Sequence, residues 1–119
     1  MPAKSGSKII TRDPGWLGPA IPPGEILLEE FLKPLGFGQV DAAKRLGVSL
    51  NRLNEIVLGK RGISADTALR LARYFGTSQE VWMNLQMRYE LETARLAEGK
   101  QIEKLIHPLA MPELLAATA

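Results

Sequence analysis

Three times between residues 46 and 80 a glycine closes an apolar-periodic run and a serine opens the next: Gly47 then Ser49, Gly59 then Ser64, Gly76 then Ser78. A serine oxygen placed just before a helix accepts from the free amides of the first turn, and a glycine just past a helix end satisfies the last carbonyls in a left-handed conformation. A chain punctuated this way is made of short helices joined by connections of about two to five residues. Connections that short favour a compact orthogonal bundle over an up-and-down one.

The runs between these marks carry the helical period. Pro23 in a first turn, with Glu25 behind it, starts EILLEEFLKP, in which Ile26, Leu27, Leu28 and Phe31 recur at helical spacing and Pro34 is expected to end or kink the run. GQVDAAKRLG follows, with Val40, Ala43 and Leu46 as its expected buried face. A third helix lies between Ser49 and Gly59, with Leu53, Ile56 and Val57 on one side. ADTALRLARYFG presents Ala68, Leu69, Leu71, Ala72 and Phe75 as a broad stripe. The last helix, SQEVWMNLQMRYELETARLAEG, starts at Ser78 with Glu80 against its N-terminal dipole and reaches Gly99, after which the tail is expected to add a helical turn or two before Pro108 and again after Pro112. No strand-type alternation occurs over a useful length. The expectation is an all-α chain: an irregular Gly/Pro-rich arm over 1–21, a five-helix domain over 22–98, and a partly helical, interfacial tail over 99–119.

Composition narrows the function classes. With 119 residues, 45% hydrophobic and 24% charged, the chain is large enough for one core and ordinary enough to fold. The net charge of +2 does not announce a nucleic acid, but from Lys33 to Arg61 the bases Lys33, Lys44, Arg45, Arg52, Lys60 and Arg61 face only Asp41 and Glu55. The absence of cysteine excludes disulfides and thiolate chemistry. No signal-peptide core or membrane span is apparent, so a soluble, cytoplasmic protein is expected.

No catalytic constellation emerges. Glu29 and Glu30 are adjacent and point about 100° apart on a helix, which suits a solvated face. His107 is the lone histidine, beside Pro108, with no second metal ligand. Gly59, Lys60 and Gly62 lack the spacing of a phosphate loop. Trp16 and Trp82 suit packing better than cofactor clamping. Neither cofactor nor metal is expected.

The third helix is the unusual one, because its outer side carries amides where a Lys/Glu mixture is the norm. With Leu50 as origin at about 100° per residue, Leu53, Ile56 and Val57 average near 293° and the outward face centres near about 113°. Asn51 and Glu55 lie closest to that centre, Arg52 and Asn54 flank it, and Leu50 leads the N-terminal edge. Helix two, a tight turn at Gly47 and a helix capped by Ser49 together make a helix-turn-helix, which lays its second helix in the DNA major groove. The side chains suit base edges: amides pair with adenine, arginine with guanine, a carboxylate accepts from cytosine, and an apolar tip meets the thymine methyl. Leu50, Asn51, Arg52, Asn54 and Glu55 are therefore the candidate base contacts, and Gln39, Ser49, Lys60 and Arg61 the candidate phosphate contacts. Standing alone, a Lys-Arg pair or two surface asparagines would read as solvated; their common register with the turn changes that.

One recognition helix reads only a few base pairs, so a homodimer is expected. The last helix has apolar residues on more than one face, and Met83, Met87, Leu91, Ala94 and Leu96 are its candidate dimer contacts.

Residues 22 to 97, carrying PGEIL, the turn LGVS, NEIVLGKRGIS, ALRLARYFGTS and W-x-N-L-Q, closely resemble the HigA-type antitoxins, a branch of the Cro/repressor-like helix-turn-helix family. The resemblance implies a dimeric protein that binds operator DNA, represses its own operon and neutralises a cognate toxin, usually a RelE-like ribosome-dependent endoribonuclease. The chain departs from the family where it has Pro22 and Pro23 in place of a histidine and Gly38 in place of a serine, which weakens the cap ahead of Gln39. Toxin-binding residues do not carry over. The candidate surfaces are the arm with Trp16, Leu17 and Ile21, the first helix, and the tail around Leu105, Ile106, Leu109, Met111, Leu114 and Leu115. Two other readings stand beside this one: a free-standing regulator of the same fold with no toxin, and a helical interaction module without DNA binding, against which the exposed Asn51, Arg52 and Lys60 argue.

Overall fold

The computed structural model describes residues 20–110 and 116, so the expectations for Trp16, Leu17, Met111, Leu114 and Leu115 lie outside the described residues. Helix α1 begins at Pro23, whose missing N–H falls where a helix has no use for it. It runs as Pro23–Ile26, a widened stretch Leu27–Leu32, and Lys33–Leu35. Pro34 thus does not end the run. A proline ring crowds the carbonyl four residues back and offers no N–H. Here the ladder is already reset, because the Lys33 N–H bonds the Leu28 carbonyl five residues back.

Helices α2, Gln39–Leu46, and α3, Leu50–Val57, are joined by three residues. Gly47 takes φ 71°, which lets its own N–H bond Lys44 O at 3.2 Å and the Val48 N–H bond Ala43 O at 3.0 Å. Ser49 Oγ then accepts the Arg52 N–H at 3.0 Å. The same serine device opens α4, Ala65–Phe75, where Ser64 Oγ accepts from Thr67, and α5, Gln79–Leu105, where Ser78 Oγ accepts from Val81. Over residues 20–110, five helices and no strand make up the expected all-α helix-turn-helix bundle.

The core gathers one layer from every helix: Leu27 and Leu32, Ala42, Ala43 and Leu46, Leu53 and Ile56, Ala68 and Leu71, and Trp82, with Ile63 from the loop after α3. Each large apolar side chain buried here contributes about 1.5–3 kcal/mol. Phe31 sits between Phe75 and Trp82, at ring-centroid distances of 4.9 and 5.3 Å, and Trp82 Nε1 donates to Thr77 Oγ1 at 2.7 Å. Gly24 fixes how α1 lies on α3: a Cβ there would stand 1.7 Å from the Ile56 carbonyl oxygen.

Two details depart from the sequence pattern. Val40 is 54% exposed, and Ala42 takes its expected place against the core. The buried trio Ala42, Ala43 and Leu46 centres about 110° away from Val40 round the helix. Leu69 is likewise 53% exposed, being about 100° from Ala68, while the hydroxyl-bearing Thr67 is buried. The helical turns expected before Pro108 join α5 without a break at Gly99, and the helix continues to Leu105. A helical glycine costs about 1 kcal/mol relative to alanine, and Lys100, Gln101, Glu103 and Lys104 beyond it are good helix formers.

Candidate nucleic-acid interface

With Leu53 and Ile56 buried, α3 turns its opposite side to solvent. Leu50 is 47% exposed at the leading edge, and Asn51 and Asn54 are exposed along the same side. Asn54 Nδ2 donates to Gln39 Oε1 at 3.3 Å, which ties the outward face of α3 to the first turn of α2. Ser49 spends an acceptor lone pair on the Arg52 amide and keeps its own O–H as a donor. Gly38, the residue ahead of α2, makes no side-chain cap, so the first amides of α2 are left for other acceptors.

Two arginines expected to reach outward are held within the chain. Arg52, a candidate base contact, lies on the flank toward α4, where its guanidinium meets Asp66 Oδ2 at 2.6 Å and Thr67 Oγ1 at 2.8 Å. The pairing has a simple cause: at about 200° on the wheel Arg52 is nearly a right angle from the outward centre, and a carboxylate stands within reach of its stem. Arg61, a candidate phosphate contact, folds back on Glu55, with Nη2 and Oε1 2.7 Å apart. Lys60 beside it is exposed and carries no ion pair among the described residues.

Sequence reasoning missed the brace behind this face. Arg70 donates to Asp66 at 2.9 Å and, through Nη1, to the carbonyls of Leu46 and Gly47 at 3.2 and 3.0 Å. The carbonyls at the turn are thereby satisfied, and the start of α3 is linked to α4 by the chain Arg52–Asp66–Arg70. The hydrogen bond from Arg70, then that from Arg52, holds the Asp66 carboxyl below its ordinary range. The signal available in the sequence was the spacing of Asp66 and Arg70, four residues apart on one helix face. On the far side of α2, Arg45 bonds Asp41 and Tyr74 and lies 4.3 Å from the centre of the Phe37 ring; those bonds raise its already high pKa.

Among the expected dimer contacts, Met83, Met87 and Leu91 are 38%, 54% and 61% exposed, and Ala94 is exposed with them. These four fall within about 80° of one another on α5, centred about 115° round from the side that buries Trp82 and Gln86. Leu96, 71% exposed, does not share that stripe: it stands on the core-facing side, past the end of the core. Leu105, Ile106 and Leu109 are also exposed. His107 lies just beyond α5, and no cluster able to hold a metal occurs among the described residues, nor does any helix among them have the length and apolarity to cross a membrane.

A capped helix presented by a three-residue turn, with amides outward and a brace behind, defines a helix-turn-helix protein. A helix-turn-helix family model matches residues 28–81. Virulence-associated protein I of Dichelobacter nodosus is 53% identical over 92 residues, which span 77% of this chain and 83% of that protein. The solved antitoxin HigA of Pseudomonas aeruginosa, bound to the higBA promoter, is 53% identical, with a TM-score of 0.74 over 76% of this chain and 99% of that one. An addiction module antidote protein of the HigA family from Coxiella burnetii is 44% identical, with a TM-score of 0.74 over 77% of this chain and all of that one (100%). The chain belongs to the HigA-type antitoxins of the Cro/repressor-like helix-turn-helix family.

Proposed function

We propose that this protein is a sequence-specific DNA-binding antitoxin that represses its own operon and neutralises a cognate RelE-like endoribonuclease, working as a homodimer in the cytoplasm. The observation that carries the reading is the outward face of α3, where Leu50, Asn51 and Asn54 are exposed in a chain 53% identical to a promoter-bound HigA. Leu50, Asn51, Asn54 and Glu55 take the base edges. Gln39, Ser49 and Lys60 take phosphates, with the amides at the start of α2 beside them. Arg52, on the flank of α3, braces it against α4 through Asp66 and Thr67. The stripe Met83, Met87, Leu91 and Ala94 joins two copies, which places two reading helices on half-sites about 34 Å apart.

The test has two arms. Full-length protein is used to select duplexes from a random-sequence pool, and the expected result is enrichment of a two-fold symmetric site that recurs ahead of its own gene. The protein is then co-expressed with the small reading frame adjoining that gene, with capture and growth rescue as readouts. Enrichment without a co-purifying partner or rescue leaves a free-standing regulator; no enrichment at all removes the DNA-binding reading.

A further inference from the structure

The loop after α3 folds back onto the recognition helix. The backbone N–H groups of Lys60 and Arg61 both bond the Glu55 carbonyl, at 2.8 and 3.2 Å, which sets the Arg61 side chain over the Glu55 carboxylate. Arg61 Nε and Nη2 then approach the same oxygen, Oε1, at 2.8 and 2.7 Å. Oε2 has no hydrogen bond among the described residues. Their side chains are 34% and 48% exposed, and a pair that open adds little to fold stability. Its value lies elsewhere.

A carboxylate moving into the major groove meets two phosphate strands that carry one negative charge per about 1.7 Å of helix axis. An uncompensated glutamate at the centre of a reading face would oppose binding to every sequence. We propose that Arg61 is a positioning residue that serves Glu55 instead of a phosphate: it cancels the charge at Oε1 and leaves Oε2 to accept the exocyclic amine of a cytosine. Cytosine is the base chosen because its N4 amine is the donor it shows in the major groove, whereas adenine sets its N6 amine beside the N7 acceptor, which repels a carboxylate. The proposal rests on the DNA-binding reading above and gives Arg61, a candidate phosphate contact on its sequence position, a different role. Lys60, exposed and free of ion pairs among the described residues, remains the phosphate group of this loop.

The experiment is a double-mutant cycle on the full-length chain, using a duplex selected by the wild type from a random pool and a random-sequence duplex as reference. Arg61→Ala is expected to weaken binding to both by about tenfold, because it bares Glu55. Glu55→Gln added to Arg61→Ala is expected to restore binding of the random duplex to within about threefold of wild type, and Arg61→Lys, which keeps the charge, to stay within the same margin. Wild type is expected to show one C·G position whose replacement costs about tenfold, and that penalty is lost with Glu55→Gln. The proposal is overturned if the double variant binds the random duplex as weakly as Arg61→Ala, which is the behaviour of a phosphate contact, or if no such C·G position exists. A wild type that enriches no duplex fails earlier, at the DNA-binding reading itself.

Discussion

On α3, Leu53 and Ile56 are each 1% exposed and Val57 is half-buried; on α5, Trp82 is equally buried, yet Met83, Met87, Leu91 and Leu96 stand between 38% and 71% exposed. The first helix has one apolar side and the chain's own core covers it. Its other side is polar and can wait in water for a polar ligand. The second helix is apolar well round its cylinder, and one core covers one side only. A one-sided helix is finished by folding, whereas a two-sided one needs a second apolar surface.

That contrast can be broken from either helix. The largest effect is expected where α1 lies on α3: Gly24→Ala places a methyl 1.7 Å from the Ile56 carbonyl oxygen, and unfolding in urea should show a loss of about 3 kcal/mol or more. A variant as stable as wild type would mean that α1 can slide without cost. Next comes the uncovered side of α5. Met87→Glu should leave the monomer's melting unchanged but weaken self-association by about 2–3 kcal/mol, as sedimentation over a concentration series would register. If the wild type is monomeric at every concentration, the second surface is not another copy.

Asn51→Ala examines the polar side of α3. It should lower affinity for the selected operator by about 1–3 kcal/mol while leaving random-sequence binding, folding and association alone. Equal operator affinity in variant and wild type would remove Asn51 from the readers. The smallest effect concerns Asp66, whose folded pKa lies below its unfolded value of 3.8. A depressed carboxylate stabilises the fold above its unfolded pKa and loses that contribution as pH falls through the folded value. The stability gap between wild type and Asp66→Asn should therefore be level from neutral pH down to the unfolded value and close below it. A gap that persists in strong acid would assign the effect to packing.

What the sequence disclosed was mostly local. Ser49, Ser64 and Ser78 each cap the helix they precede, because the bond spans three residues and depends on little else. The all-α order, the turn at Gly47 and the inward face of α3 follow from the same short-range rules. The Arg52–Asp66 pair is not legible in the sequence, because its partners lie fourteen residues apart and on different helices. The Arg61–Glu55 pair is hidden for another reason: a loop direction, set by two amides on the Glu55 carbonyl, decides where the Arg61 side chain goes. Val40 and Leu69 show the limit of period counting: it ranks positions round a cylinder, but neighbouring helices decide how wide the covered arc is.

From residue 93 to residue 110 every described side chain is exposed apart from the half-covered Gly99, although α5 remains helical to Leu105. An isolated peptide as short as the helical part of that stretch, 93–105, is only marginally helical in water, since nucleating a helix is costly and each added residue returns little. In a lone subunit the distal turns of α5 would therefore sit in a helix–coil equilibrium biased by continuity with the packed turns around Trp82. Their amides should exchange with solvent in a gradient that steepens toward Leu105, and anything that docks along them draws part of its affinity against the entropy of ordering those turns.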